Sequence, residues 1–256
     1  MNSYIIVAGD SWACGEYSST GELTHGGLRQ YLDEDGHQTL CFGYPGVGSL
    51  TAYDFLFNFI RHNLDKMTFE KILFFQSDWV RDIRSYHWAT DEQLEVFQKG
   101  YVHTRDWYMS SLYYRLHDIY QNFGIPVVIV GGQGDTFWLD RFEHEYPGVT
   151  IGCQSFTNLI INNESRTNRP AHSVFKYGGT ASMFLTQKQF DVILQQIKLN
   201  SNSTDLQQLI TDMEIAKTRD DIFKTNRGIF LDNKHPDREA HKDRKSTRLN
   251  SSHTDI

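Results

Sequence analysis

The residues best suited to chemistry stand at opposite ends of the chain. Near the N-terminus, Gly9-Asp10-Ser11-Trp12-Ala13-Cys14-Gly15 follows directly on the apolar run Tyr4–Ala8. A serine at a strand-to-helix turn presents its hydroxyl at the top of a sheet. Its own N–H then belongs to a helix start, where free amides and the helix dipole favour a developing negative charge. Both properties serve acyl transfer. A plain turn in which Asp10 or Ser11 caps the next helix has the same composition. Near the C-terminus, Asp232-Asn233-Lys234-His235-Pro236 lets a carboxylate and an imidazole occupy adjacent points of one turn, so that Asp232 can orient His235 for base work. With 21 Asp and 11 His in the chain, about one Asp-x-x-His is expected by chance. Position therefore carries the argument: the pair follows the apolar run 228–231 and precedes Pro236, a good first-turn helix residue.

Such groups need a rigid frame. Five short apolar runs, nearly continuous rather than alternating, read as buried parallel strands: Tyr4–Ala8, Gln38–Phe42, Lys71–Phe75, Pro126–Val130 and Val149–Cys153. Helical patterns separate or follow them. Leu50–Asn63 carries apolar residues at helical spacing, and Glu92–Phe123 places Trp107, Leu112, Leu116 and Tyr120 near one face before a C-cap signal at Gly124. Thr186–Leu199 and Thr204–Lys217 suggest two more helices, and Asn162–Gly179 an inserted loop beside them. Strands alternating with helices predict an α/β fold: a flavodoxin-like three-layer α/β/α domain with a five-stranded parallel sheet in the order 2-1-3-4-5. Ligands of such sheets bind beyond the carboxyl ends of the strands. That rule points at Ser11, Gly46 and Asp78, each of which follows a strand.

Taken together and in this order, the Gly-Asp-Ser and Asp-x-x-His blocks resemble those of the SGNH/GDSL family of serine hydrolases, and the likeness covers nearly the whole chain. The resemblance implies Ser11 as nucleophile, His235 as general base and then acid, and Asp232 as the orienting carboxylate. It also implies an oxyanion site made by the Ser11 N–H, by a glycine after the second strand, and by an Asn side chain after the third. Gly46 in Gly43-Tyr44-Pro45-Gly46-Val47-Gly48 matches the glycine best, although a tight turn would also want a glycine there. The third block departs from the family pattern Gly-x-Asn-Asp. In Gln76-Ser77-Asp78-Trp79 the Asn place falls to Asp78, whose ionised carboxylate has no proton to donate, or, shifted by one residue, to Ser77, whose hydroxyl has. Losing one oxyanion donor costs about 2.7–4 kcal/mol, which slows catalysis without abolishing it. A divergent block of this kind resembles those of family members encoded in phage genomes. The implied activity is cleavage of a carboxylic ester, acetyl or short acyl, on a small-molecule or carbohydrate substrate. The alternative is a catalytically weak or inactive binding or structural module on the same fold.

Composition narrows the field further. The chain has 256 residues, a net charge of −7 and a pI near 5.9, which predicts no nucleic-acid surface. No apolar run reaches the roughly 18 residues of a membrane span, and the N-terminus reads as a first strand rather than a signal peptide. Three cysteines without Cys-x-x-Cys spacing suggest reduced thiols in a cytoplasmic setting, or in a virion or host cytoplasm for a phage-encoded chain. The sequons at Asn163 and Asn202 accordingly carry little weight. No His-Glu-x-x-His or Cys/His cluster argues for a metal, and no cofactor is expected. Gly131-Gly132-Gln133-Gly134 lacks the Lys-Ser/Thr of a phosphate loop and reads as a strand-end turn. Trp79, Tyr86, Trp88 and Trp138 either line an acyl or sugar pocket or simply pack. Cys14 reads as a buried helix residue. A flavin-binding or phospho-receiver domain would use a similar sheet, but Gly9–Gly15 is a poor flavin phosphate loop and no Lys closely follows the fifth strand. Finally, residues 243–253 resemble a translated sequencing adapter. The expected organisation is thus a domain over residues 1–242 and a non-native tail over 243–256.

Overall fold

A computed structural model describes residues 3–18, 20–77, 82, 101–131, 142–153, 236 and 241. Within them the chain forms β1 (Ser3–Gly9), α1 (Ser11–Cys14), β2 (Glu16–Tyr17), β3 (Leu23–His25), α2 (Gly27–Glu34), β4 (Gln38–Gly43) and α3 (Ser49–Asn63). Then follow β5 (Thr68–Gln76), α4 (Tyr101–Phe123), β6 (Val127–Gly131), α5 (Phe142–Glu145) and β7 (Val149–Cys153). The fold is α/β. Five strands form one sheet in the order β4-β1-β5-β6-β7, with every neighbouring pair parallel. Counting those five alone, the order is 2-1-3-4-5. The labels differ from the expected string because β2 and β3, which the sequence pattern did not announce, form a separate antiparallel pair. They are too short, and too poor in alternating apolar residues, to register as strands.

Register explains why the strands are apolar on both sides. Ile6 lies between Leu40 and Ile72, and Ala8 between Phe42 and Phe74, while Ile72 and Phe74 continue to Val127 and Ile129. These side chains share one face, since alternate residues of a strand point the same way. They merge with Leu50, Tyr53, Leu56 and Ile60 of α3 and with Met109, Leu112, Tyr113, Leu116 and Ile119 of α4 into the main core. On the opposite face Ile5, Val7, Phe75 and Val130 are buried too, and α2, with Leu28, Tyr31 and Leu32 buried, packs beside β4. Burying both faces excludes the alternating pattern of a half-exposed strand.

α3 and α4 follow the sequence pattern with one correction, whereas α2 and α5 are helices that the pattern did not announce. α3 begins one residue earlier than expected, and the described part of α4 starts at Tyr101. Gly124 ends α4 with φ +68 and donates its N–H to the Tyr120 carbonyl at 2.8 Å, as a left-handed C-cap does. Trp107, however, does not share the buried face; it is 58% exposed. At about 100° per residue, Trp107 lies half a turn away from Leu116. The buried stripe runs through Met109, Leu112, Tyr113, Leu116 and Ile119 instead. Arg115 ties the two helices together at their rim, 2.8 Å from Asp54 and over the Tyr53 ring. Among the described residues, no helix is long and apolar enough to cross a membrane. The expected helices over 186–199 and 204–217, the loop over 162–179 and the tail over 243–256 lie outside the described residues.

Candidate functional site

Three strands end at one level. Gly9 of β1 pairs with Gly43 of β4 and with Phe75 of β5, so the segments beginning at Asp10, Tyr44 and Ser77 leave the sheet close to one another. Tyr44 extends the ladder by donating its N–H to the Gly9 carbonyl at 2.9 Å. Gly9 itself has φ +131, and a Cβ there would strike the Phe75 carbonyl. Only glycine lets β1 turn this closely against β5.

Ser11 is the first residue of α1, separated from β1 by Asp10 alone, and is 7% exposed. The side chain that caps α1 is Asp10: its Oδ1 accepts the Trp12 N–H at 3.0 Å. The capping task named as an alternative for this block therefore falls to the aspartate, and α1 does not require the serine hydroxyl for it. Trp12, Ala13 and Cys14 are buried behind it, which fixes the direction in which the short helix leaves the sheet.

The exit from β4 differs. Gly46 is exposed, with φ +81 and open space where a Cβ would stand. It lies in the turn that the Val47 N–H closes onto the Tyr44 carbonyl at 3.3 Å. The closely packed glycines of this block are Gly43, beneath the Cys14 sulfur, and Gly48, where a Cβ would collide with Asp82. Gly48 is the N-cap of α3 and has no side chain to cap with. Asp82 does that work from 31 and 32 residues away, its Oδ1 accepting the Leu50 N–H at 3.0 Å and the Thr51 N–H at 3.3 Å.

The β5 exit is held in the same way. The buried Ser49 hydroxyl accepts the Ser77 N–H at 2.9 Å. Gln76 is buried and anchored by α4: Tyr113 donates its hydroxyl to the Gln76 Oε1 at 3.0 Å, and Gln76 Nε2 lies 3.8 Å from the Met109 sulfur. Ser77, one of the two candidates for the third oxyanion donor, thus sits at a fixed strand end beside the start of α3. The other candidate, Asp78, lies outside the described residues, as do Asp232, His235, Trp79, Tyr86, Trp88 and Trp138.

Asp82 is the site residue that the sequence did not signal. It is 2% exposed. Burial pushes its carboxyl up to about 6, against the opposing pull of the Leu50, Thr51 and Ser49 N–H groups, and the Asp54 charge adds to the rise. Asp82 in turn helps burial to hold the Tyr108 phenol above its ordinary value. No local pattern could have revealed this, because the donors it serves are more than thirty residues away in sequence.

Pro236 is buried, and His241 is buried in a helical residue position. The His241 ring lies about 3.1 Å from where a Cβ of Gly27 would stand, and Gly27 is packed backbone to backbone on Gly15, which follows α1. Among the described residues, no group of three or more His, Cys, Asp or Glu side chains gathers in a way that could hold a metal ion. Comparison with known proteins finds no matching family model, no matching curated relative and no matching solved structure.

Proposed function

We propose that the protein is a serine hydrolase of the SGNH/GDSL type that cleaves a carboxylic ester through an acyl-Ser11 intermediate. Ser11 attacks the carbonyl while His235, oriented by Asp232, takes its proton. His235 then returns a proton to the leaving alkoxide and activates the water that releases the acyl group. The Ser11 N–H, the Gly46 N–H and the Ser77 hydroxyl, or Asp78 in its protonated form, are the proposed oxyanion donors. The substrate proposed is an acetylated or short-acylated small molecule or carbohydrate, met in the cytoplasm.

The observation that carries this reading is the position of Ser11: first residue of a helix, at the carboxyl end of an inner strand, with the cap supplied by its neighbour.

Fluorophosphonate labelling tests the proposal. A single adduct on Ser11 is expected, together with hydrolysis of a short p-nitrophenyl ester that falls by about 10⁶-fold, to background, in Ser11→Ala. Labelling at another residue, or unchanged turnover in Ser11→Ala, would remove Ser11 from this role. The low exposure of Ser11, 7%, favours a second reading, a binding module that keeps the fold with little catalysis. That reading expects no adduct and no turnover, while an acylated sugar still binds.

A further inference from the structure

Two of the three cysteines meet across α1 and β4. Cys14 ends α1 and is buried, Cys41 lies on β4 and is exposed, and Cys153 ends β7, at the opposite edge of the sheet. Topology brings the first two together. β4 runs beside β1 with Cys41 opposite Val7 and Gly43 opposite Gly9, and α1 leaves β1 just past that level and packs on β4. Cys41 and Gly43, two apart on one strand, share a face. The Cys14 sulfur rests over Gly43, only 2.5 Å from where a Cβ would stand. The Cys14 sulfur therefore stands on the face of β4 that carries Cys41, and each thiol shifts the ionisation of the other, with the Tyr17 hydroxyl acting on Cys14 as well.

The two sulfurs are not equivalent. Cys41 accepts from the Cys14 thiol, and this pulls it down to about 6; burial opposes the change, while the Gly43 N–H and the Arg29 guanidinium assist it. Neighbouring atoms crowd Cys41, yet its surface still reaches solvent. The Cys14 thiol is pushed far up, first by Cys41 and then by burial, with the Asp10 charge adding to the effect and Tyr17 opposing it. Its sulfur also lies 3.9 Å from the Asp10 carbonyl, a second acceptor for its proton. An exposed thiolate beside a buried thiol is the arrangement of an attacking and a resolving cysteine.

We propose that Cys14 and Cys41 form a peroxide-responsive pair, in which Cys41 is oxidised first and Cys14 resolves it to an intramolecular disulfide. The Cys41 thiolate attacks one oxygen of hydrogen peroxide, the O–O bond breaks, and the departing hydroxide takes up a proton as water. This leaves Cys41 as a sulfenic acid, oxidised by two electrons. The Cys14 sulfur then attacks the Cys41 sulfur. The S–S bond forms as the S–O bond breaks, and the leaving hydroxide carries away the Cys14 proton as a second water. One peroxide and two thiols give one disulfide and two waters. The closure brings the two sulfurs, which face each other across Gly43, to about 2.05 Å. The product ties the last residue of α1 to β4 and so restrains the helix that Ser11 opens. None of this depends on Ser11 being a nucleophile.

The test is peptide mapping of the full chain after brief treatment with stoichiometric peroxide at neutral pH, with an alkylating quench. The expected product is a linked Cys14–Cys41 peptide that dithiothreitol reverses, with Cys153 still alkylated. In Cys14→Ala, Cys41 stops at a sulfenic acid that dimedone captures, and no linked peptide forms. The rate of Cys41 alkylation against pH supplies an independent readout. Its midpoint is expected near 6, and it moves upward in Cys14→Ala because the donor is gone. Overoxidation of Cys41 without linkage to Cys14 in the wild-type chain, linkage through Cys153, or a Cys41 midpoint at the ordinary thiol value of about 8.5 would each overturn the proposal. Where Cys14→Ala fails to fold, the wild-type map and midpoint decide alone.

Discussion

Two helices start at the same edge of the sheet and solve the same problem in opposite ways. α1 follows β1 after a single residue, and that residue, Asp10, caps it within two positions of chain. α3 follows β4 after a five-residue loop whose last member is Gly48, and its open amides are met by a carboxylate 31 and 32 residues away. The local solution leaves the adjacent serine uncommitted to capping. The remote one uses two side chains, Asp82 for α3 and Ser49 for the β5 exit, to lock neighbouring segments together. One edge of the sheet therefore holds both a serine that its helix does not use as a cap and a scaffold that depends on buried polar contacts.

The largest expected effect breaks the local side. In Gly9→Ala the new methyl meets the Phe75 carbonyl in the middle of the sheet, at a backbone angle of φ +131 that L-residues avoid. Strain and overpacking together should cost about 3 kcal/mol or more, read as a drop in the denaturant midpoint. A near-neutral result would mean that β1 and β5 part easily at this level.

Next in size is the remote side. Asp82→Ala removes the acceptor for two amides at the buried start of α3 and should destabilise by about 1–3 kcal/mol. Asp82→Asn keeps an acceptor and removes the charge, so it separates capping from titration. The sign follows from proton counts. With its carboxyl raised to about 6 in the fold against an ordinary value of 3.8, Asp82 binds more protons folded than unfolded between those values. Its contribution is fully present below pH 3.8 and is lost as pH rises through 6. Stability should thus fall by about 3 kcal/mol at most across that window, at 1.36 kcal/mol per pKa unit, and the slope should flatten in Asp82→Asn. A wild-type slope of the opposite sign would show that the amides of Leu50 and Thr51 outweigh burial. Asp54 and Tyr108, the other titrating groups that act with Asp82, make Asp54→Asn a useful control.

The same contrast explains what could be seen in the sequence. Both faces of the sheet are covered, so the five strands appear as unbroken apolar runs, and short links between strands and helices fix their order. Ser11 was visible because its strand, turn and helix are contiguous. Asp82 and Ser49 were not, because their roles depend on segments that meet only in the fold. Trp107 departs from the expected face because several aromatics crowd one stretch of α4, and hydrophobicity alone does not distinguish a buried tryptophan from one at the rim. β2 and β3 pair over very few residues and carry no alternation to detect.

The smallest expected effect sharpens the comparison most. If Asp10 serves α1 as a cap, Asp10→Ala should cost about 1 kcal/mol and Asp10→Asn only a few tenths, since either side-chain oxygen can accept the Trp12 N–H. Both are read from denaturant midpoints at neutral pH, with the fluorophosphonate labelling rate of Ser11 measured in parallel. Equal losses in the two variants would mean that the carboxylate charge, and not the cap, holds α1 in place. The local start would then depend on a buried charge, whereas the remote one depends on an accepting oxygen whose charge burial disfavours, and the two starts would differ in the nature of the contact as well as in its distance along the chain.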